Sequence, residues 1–325
     1  MPTAPSSTRS ASSIAGRLDR LFFGRTARML RGAANAFAFL LLPSSCLLCG
    51  AWNTSLCRSC ATTFRRATSC PFRAEDGAEA LPDVDRAAGT SRSPADHDAD
   101  YGPLPVIAAG RYGAAVSRVL LAYKNHGRVD VAAPIAAALA GALHMACTEL
   151  GPSGTRAFPV LLVPVPTRSS SRRRRGYDPL MVLLTRLDRM QSLPAGTVLA
   201  PVVRQVSAVH RIRAMLARSG ATRPTGLRAW RSISGGNAGQ KGLGRRSRRT
   251  NVLLSMAPTT GAHRRLTGAQ CIIVDDVLTT GATIGEVHRV LRGEAATVLG
   301  AVVIAATAWP ASAAVPAAPG ARAVG

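Results

Sequence analysis

From residue 104 onward the apolar and polar positions alternate between two rhythms. LPVIAAGRY (104–112) reads as a strand, and AAVSRVLLAYKNHG (114–127) as a helix with Val116, Val119, Leu120 and Tyr123 on one face and Gly127 near its stop. VDVAAPIAAALAGALHMA (129–146) predicts a long Ala-rich helix, and FPVLLVPVP (158–166) a buried strand running into a loop. DPLMVLLTRLDRM (178–190) is helical in period, with Pro179 suited to the first turn. TVLAPVVRQV (197–206) and NVLLSM (251–256) read as strands, and residues 211–250 between them as basic, Gly-rich and irregular. QCIIVDDV (270–277) and ATVLGAVVIAATA (296–308) are strongly apolar, β-branched strands, with a helix over 284–291 between them. Strands alternating with helices predict an α/β fold whose parallel sheet is covered on both faces.

The chain before residue 104 has a different texture. Residues 1–32 are rich in Arg and Ser and read as a disordered basic N-terminus; Ala33–Leu42 is apolar; residues 33–72 hold five of the seven cysteines. Residues 73–100 lack apolar periodicity and read as an acidic flexible linker, with eight acidic residues against three basic ones. A folded domain is expected over 101–310 and a disordered tail over 311–325. A basic stretch, a short apolar stretch and a cysteine could mark an export or lipoprotein signal, but Pro43 stands close before Cys46, which is already half of a Cys-x2-Cys pair. No apolar run reaches the ~18 residues of a membrane span, and the cysteine usage is that of a reduced, cytoplasmic protein.

Composition narrows the partners. Aromatic residues make up only 4% of the chain, so the core must be built from Ala, Val, Leu and Ile. A net charge of +24 favours polyanions: phosphorylated metabolites, nucleic acid or acidic membrane surfaces.

The segment CIIVDDVLTTGATI carries the most specific chemistry. A buried strand ends in Asp275 and Asp276, then Thr279, Thr280, Gly281, Ala282 and Thr283 lead into a helix. A turn of small residues at a helix N-terminus exposes unpaired N–H groups that favour a phosphate dianion. Two carboxylates beside an anion site make sense if the same ligand brings hydroxyl donors or a divalent cation. A ribose 5-phosphate unit meets both conditions. A second strand, LLVPVP, runs through Val165 and Pro166 to Arg168 and the run Arg172–Arg175, which suits a pyrophosphate.

Cys46-x2-Cys49 and Cys57-x2-Cys60 are two knuckles seven residues apart, the spacing of a tetrahedral thiolate zinc site with no open position. Arg73 stands where Cys70 would need a partner, so one structural Zn2+ is expected, not two.

CIIVDDVLTTGAT resembles the phosphoribosyl pyrophosphate (PRPP) signature of type I phosphoribosyltransferases at every fixed position. That resemblance implies the type I phosphoribosyltransferase fold, catalytic Asp275 and Asp276 on the ribose hydroxyls, a 5-phosphate cradle from Thr279 to Thr283, and Mg2+ with PRPP. The order of five segments, LLLPSSCLLCG with a following Cys-x2-Cys, RYGAAVSRVLLAYKNHGR, VPVP…RRRGYDP, GQKGLGRRSRRTNV and the signature strand, resembles the ComF family of bacterial phosphoribosyltransferase-like proteins. By that resemblance Gln240, Leu243, Arg248 or Arg249, and Asn251 lie near the mobile loop that covers PRPP. Tyr177 fits the aromatic after Gly176, while Asp178 replaces a common asparagine. The implied activity is transfer of a phosphoribosyl group to a nitrogenous acceptor with release of pyrophosphate. The alternatives are a competence-type role with single-stranded DNA or DNA-uptake machinery, and a PRPP sensor without turnover. A homo-oligomer is left open.

Overall fold

The structure, a computed structural model, describes residues 45–85, 101–151, 158–167, 171–172, 175–206 and 254–307, besides Met29. Its centre is a six-stranded sheet in the order β1-β4-β10-β9-β5-β6. The strands are β1 (Phe72–Arg73), β4 (Val106–Arg111), β5 (Val160–Pro164), β6 (Thr197–Leu199), β9 (Gln270–Leu278) and β10 (Thr297–Ala306). All pairings are parallel except that of β1 with β4. Two antiparallel pairs stand apart: β2 (Asp83–Asp85) with β3 (Tyr101–Pro103), and β7 (Val203–Gln205) with β8 (Met256–Pro258).

Helices cover both faces, which is why β5 and the middle of β9 and β10 are apolar without alternation. One face packs Ile107, Ile272, Val274, Val302 and Ile304 against α1 (Arg58–Thr68), α2 (Ala114–Asn125), α3 (Ala132–Glu149) and α4 (Pro179–Arg189). The other packs Val106, Cys271, Ile273 and Val303 against α5 (Ala262–Leu266), α6 (Ala282–Gly293) and the stretch around Ala74, Ala78 and Leu81. The mixed α/β fold with a mostly parallel, helix-flanked sheet is the one expected from the pattern of the sequence.

Several expectations need correction. The acidic stretch is not a tether over residues 73–85. Arg73 sits in the sheet, Ala74 and Leu81 are buried, and β2 pairs with β3. Glu75 is buried too, and its carboxylate is satisfied: Arg73 donates to Oε1 from Nε at 2.8 Å and from Nη2 at 2.6 Å, and the Val106 N–H donates to Oε2 at 3.1 Å. A low-hydrophobicity segment folds here because a few Ala and Leu positions and one paired glutamate find the sheet. The remainder, 86–100, lies outside the described residues, as do residues 1–28, 30–44, 207–253 and the tail.

The strand read over 197–206 is two strands: β6 extends the main sheet, then Pro201, which has no N–H to give, marks the break before β7 turns to pair with β8. β8 lies later than the strand read at 251–256. Residues 129–131 form a 3-10 turn before α3. The run Val129–Glu149 has the length and mean hydropathy of a membrane span, against the expectation that none reaches that length. It packs Ile135, Leu139, Ala142, Leu143 and Ala146 into the core against β4 and β10, as a core helix does.

α1 joins the cysteine-bearing segment directly to the sheet. A Cβ on Gly110 in β4 would run into the Ala67 carbonyl oxygen and come within 2.9 Å of Thr68 Cγ2. Both belong to the last turn of α1, and backbone yields less easily than a flexible side chain. Gly110→Ala should therefore lower unfolding free energy by about 1–3 kcal/mol, read from urea or thermal unfolding.

Candidate functional site

The carboxyl ends of β5 and β9 are neighbours: Pro164 pairs with Val274, and the Val165 N–H donates to the Val274 carbonyl at 2.8 Å. After β5 the chain passes to α4 on one face of the sheet, and after β9 to α6 on the other. Where successive connections part in this way a crevice opens between the strand ends, and open parallel sheets bind ligands there. The two segments singled out in the sequence, at Val165–Pro166 and at Asp275–Thr283, flank this crevice.

β9 runs on to Leu278, so the aspartates lie within the strand and not in a turn after it. Both are partly buried. The Asp276 N–H donates to Asp275 Oδ1 at 2.8 Å. Lys124, at the end of α2, sits 2.6 Å from Asp276 Oδ2. Burial, reinforced by the neighbouring Asp276 charge, pushes the Asp275 carboxyl up to about 7, against the pull of the Asp276 N–H and Lys124. One of two adjacent carboxyls thus holds its proton up to neutral pH, and the other is held by a cation.

Gly281, at φ +80°, ends the Thr279–Thr280 turn and starts α6 without bringing a side chain to the N-cap. The helix has 12 residues, and its first-turn N–H groups point where the turn opens. Thr280 Oγ1 accepts from the Ala282 N–H at 3.4 Å. The far side of the turn is closed by the 78–82 stretch. The Ala80 N–H donates to the Thr280 carbonyl at 2.8 Å, a Cβ on Gly281 would meet Leu81 Cγ at 2.7 Å, and one on Gly285 would meet the Ala80 carbonyl at 3.0 Å. Gly281 therefore serves the left-handed backbone and the Leu81 contact together.

Beside Val165, Pro166 and Thr167 lies a cavity of about 430 Å³, also lined by Arg172, Asp178 and Gln205. Gln205 Nε2 donates to the Pro166 carbonyl at 3.2 Å, tying β7 to this turn. Asp178 is a helix cap: its Oδ1 accepts from the Met181 N–H at 3.3 Å at the start of α4. Its charge is thus engaged in the fold. Arg168, Gln240, Leu243, Arg248, Arg249 and Asn251 lie outside the described residues.

Sequence reasoning missed two participants. In the sequence Lys124 stands out only as part of RYGAAVSRVLLAYKNHGR, and the composition around Leu81 is that of a linker. The advance signals for Lys124 are the tyrosine–glycine–helix–lysine order of that segment and its place next to inward-facing Tyr123.

The four cysteines converge. The Sγ atoms of Cys46, Cys49, Cys57 and Cys60 lie within 4.8 Å of one another, Cys49 and Cys57 at 3.6 Å. Four thiolates around one tetrahedral zinc would stand about 3.8 Å apart, so this set could hold such an ion. The Cys57 N–H donates to Cys46 Sγ at 3.4 Å, as a thiolate requires. Burial works to raise the Cys46 thiol, yet N–H groups of Cys49, Cys57 and Leu48 bring it down to about 6. Hydrogen bonding to Cys57 and burial push Cys60 up to about 12. Cys46 and Cys57 are drawn toward the thiolate and Cys60 away from it, an imbalance that a shared cation would remove.

Two measurements follow from this geometry. Asp275 has a folded value above the usual carboxylate range, so its ionisation opposes folding, and stability falls as pH rises from about 4 through 7. Asp275→Asn should be more stable than wild type at pH 8 by on the order of 1 kcal/mol, with the gap closing toward pH 4 in paired unfolding curves. Purified protein should carry one equivalent of zinc by elemental analysis, Cys46→Ser should lose it, and a strong chelator should lower Tm.

Residues 239–316 match the family model described as the phosphoribosyl transferase domain, a span that takes in β8, β9, α6 and β10. No curated protein sequence matches the chain. The matched stretch contains the aspartate pair and the Thr279–Thr283 turn but not the Val165 turn or the four-cysteine cluster. Over 239–316 the chain is thus similar to a phosphoribosyl transferase domain, and β9 and β10 of that stretch lie in a mostly parallel, helix-flanked sheet; the chain also carries a four-cysteine cluster.

Proposed function

We propose that this protein binds PRPP with Mg2+ in the crevice between β5 and β9 and transfers its phosphoribosyl group to a nitrogenous acceptor, releasing pyrophosphate. The observation that carries the reading is the adjacency of the Asp275–Asp276 pair, the Gly281 turn at a helix N-terminus and the Val165 turn, held together by the Val165–Val274 bond. The 5-phosphate would take the first-turn N–H groups of α6 and the hydroxyls of Thr279, Thr280 and Thr283. The ribose hydroxyls would donate to Asp275 and Asp276. The donor set fits a divalent cation bound through the diol, which would supply charge to the departing pyrophosphate. In the transfer, the C1–oxygen bond breaks with its electron pair leaving on pyrophosphate, the acceptor nitrogen's lone pair makes the new bond, and the nitrogen then loses its proton. The chain contributes orientation and a preorganised electrostatic environment.

The cysteine cluster, as a closed four-thiolate zinc site, would be structural. Membership of the ComF family and a cytoplasmic location are part of the same reading. The charge of +24 favours one further reading, a single-stranded DNA-handling role on this fold.

A thermal-shift titration separates the two. PRPP with Mg2+ at about 100 times its Kd should stabilise the protein by about 2.7 kcal/mol, an effect that Asp275→Asn with Asp276→Asn abolishes. Pyrophosphate release in a panel of nitrogenous bases then reports turnover. No shift at millimolar PRPP, with oligonucleotide affinity that falls steeply with salt and survives the double substitution, would favour nucleic-acid handling instead.

A further inference from the structure

α2 ends in Tyr123, Lys124 and Asn125, and three hydrogen bonds fasten that turn to the segment between the Val165 turn and α4. The Tyr123 hydroxyl donates to the Pro179 carbonyl at 2.8 Å, the Tyr177 hydroxyl to the Tyr123 carbonyl at 2.6 Å, and Arg175 Nη2 to Asn125 Oδ1 at 3.0 Å. The two tyrosine rings also meet edge to face at 6.4 Å. Lys124 stands amid these anchors, with about a quarter of its side chain exposed, and its ammonium lies on Asp276. Arg175 Nε is buried and has no hydrogen-bond partner. That Nε is enclosed, so Arg175 acts here as a fastener of the helix end. Lys124 is the cation held between the aspartate pair and the Tyr177–Pro179 segment, and it rests on a carboxylate that the ligand is to occupy.

Resting on the phosphoribosyl reading, we propose that Lys124 is a pyrophosphate-binding residue, paired with Asp276 in the free protein and transferred to the ligand's pyrophosphate when the ribose diol takes that carboxylate. The exchange follows from charge balance. Once hydroxyls occupy Asp276, the ammonium is left on a packed helix end beside a newly arrived polyanion. A lysine suits this step because its charge is compact and its stem flexible, whereas a planar guanidinium would favour a fixed bidentate pair. Arg175, fastened to the next residue, Asn125, sets where the helix end sits. In the free protein Lys124 also prevents the two acids from repelling each other unopposed.

Calorimetric titration with ribose 5-phosphate, inorganic pyrophosphate and PRPP, each with Mg2+, tests the assignment on wild type, Lys124→Met, Lys124→Gln and Lys124→Arg. The glutamine can still hydrogen-bond Asp276 without a charge, so a folding defect in Lys124→Met leaves a readable variant. Loss of the ammonium should weaken PRPP by about tenfold or more, while ribose 5-phosphate, which has no pyrophosphate, and free pyrophosphate, which has no diol to release Lys124, each change by less than about threefold. Lys124→Arg should recover part of the PRPP loss. Equal losses for PRPP and ribose 5-phosphate would show that Lys124 only positions Asp276, and unchanged affinities would remove it from the site; either overturns the proposal while leaving PRPP binding intact. Wild-type protein that binds none of the three ligands overturns the phosphoribosyl reading itself.

Discussion

Two carboxylates on successive residues of a half-buried strand are an unstable arrangement, and much of the local architecture answers that problem. The strand does not bend to separate them. Instead the Asp276 N–H bonds back to Asp275, α2 brings an ammonium to Asp276, and Asp275 holds a proton toward neutral pH. Each measure is partial, and the charge that remains is what a ligand rich in hydroxyls and accompanied by a cation would satisfy. The parallel sheet tolerates the arrangement, since helices seal both faces and the pair lies toward the carboxyl end of β9.

The fold was legible because its elements carry strong periodicity. Val116, Val119, Leu120 and Tyr123 line one helical face and are buried as that spacing requires, and the apolar runs at 160–164 and 271–274 are buried throughout. The aspartate pair and the turn through Thr283 were legible for a different reason: their residue types are what a phosphate and a diol demand at a strand-to-helix junction. The four cysteines were legible from spacing alone, and their sulfurs do converge.

What escaped was non-local. A helix that follows a strand ordinarily runs back toward the amino ends of the sheet. Here α3 lies along β4 and β10, while α2 ends beside β9's carboxyl half, so nothing in the spacing of Lys124 announces Asp276. The Pro201 break was visible in the sequence, but the partner of β7 lies beyond residue 255, too far for a pattern to show. Glu75 and Leu81 sat in a stretch whose composition belongs to disorder. A few well-placed apolar residues and one satisfied glutamate outweighed that average, because folding responds to particular contacts and composition reports only the mean.

Leu81 and Gly281 touch, yet they stand 200 positions apart in the chain. The Thr279–Thr283 turn is therefore backed by a stretch of polypeptide synthesised long before it. During biosynthesis the stretch around Leu81 must wait, with apolar side chains uncovered, until the final third of the protein emerges. Such distant closure carries a large entropic barrier and lengthens the interval in which wrong partners can intrude. A metal-bound knuckle, complete within its first few dozen residues, would give the nascent chain a folded anchor through that delay.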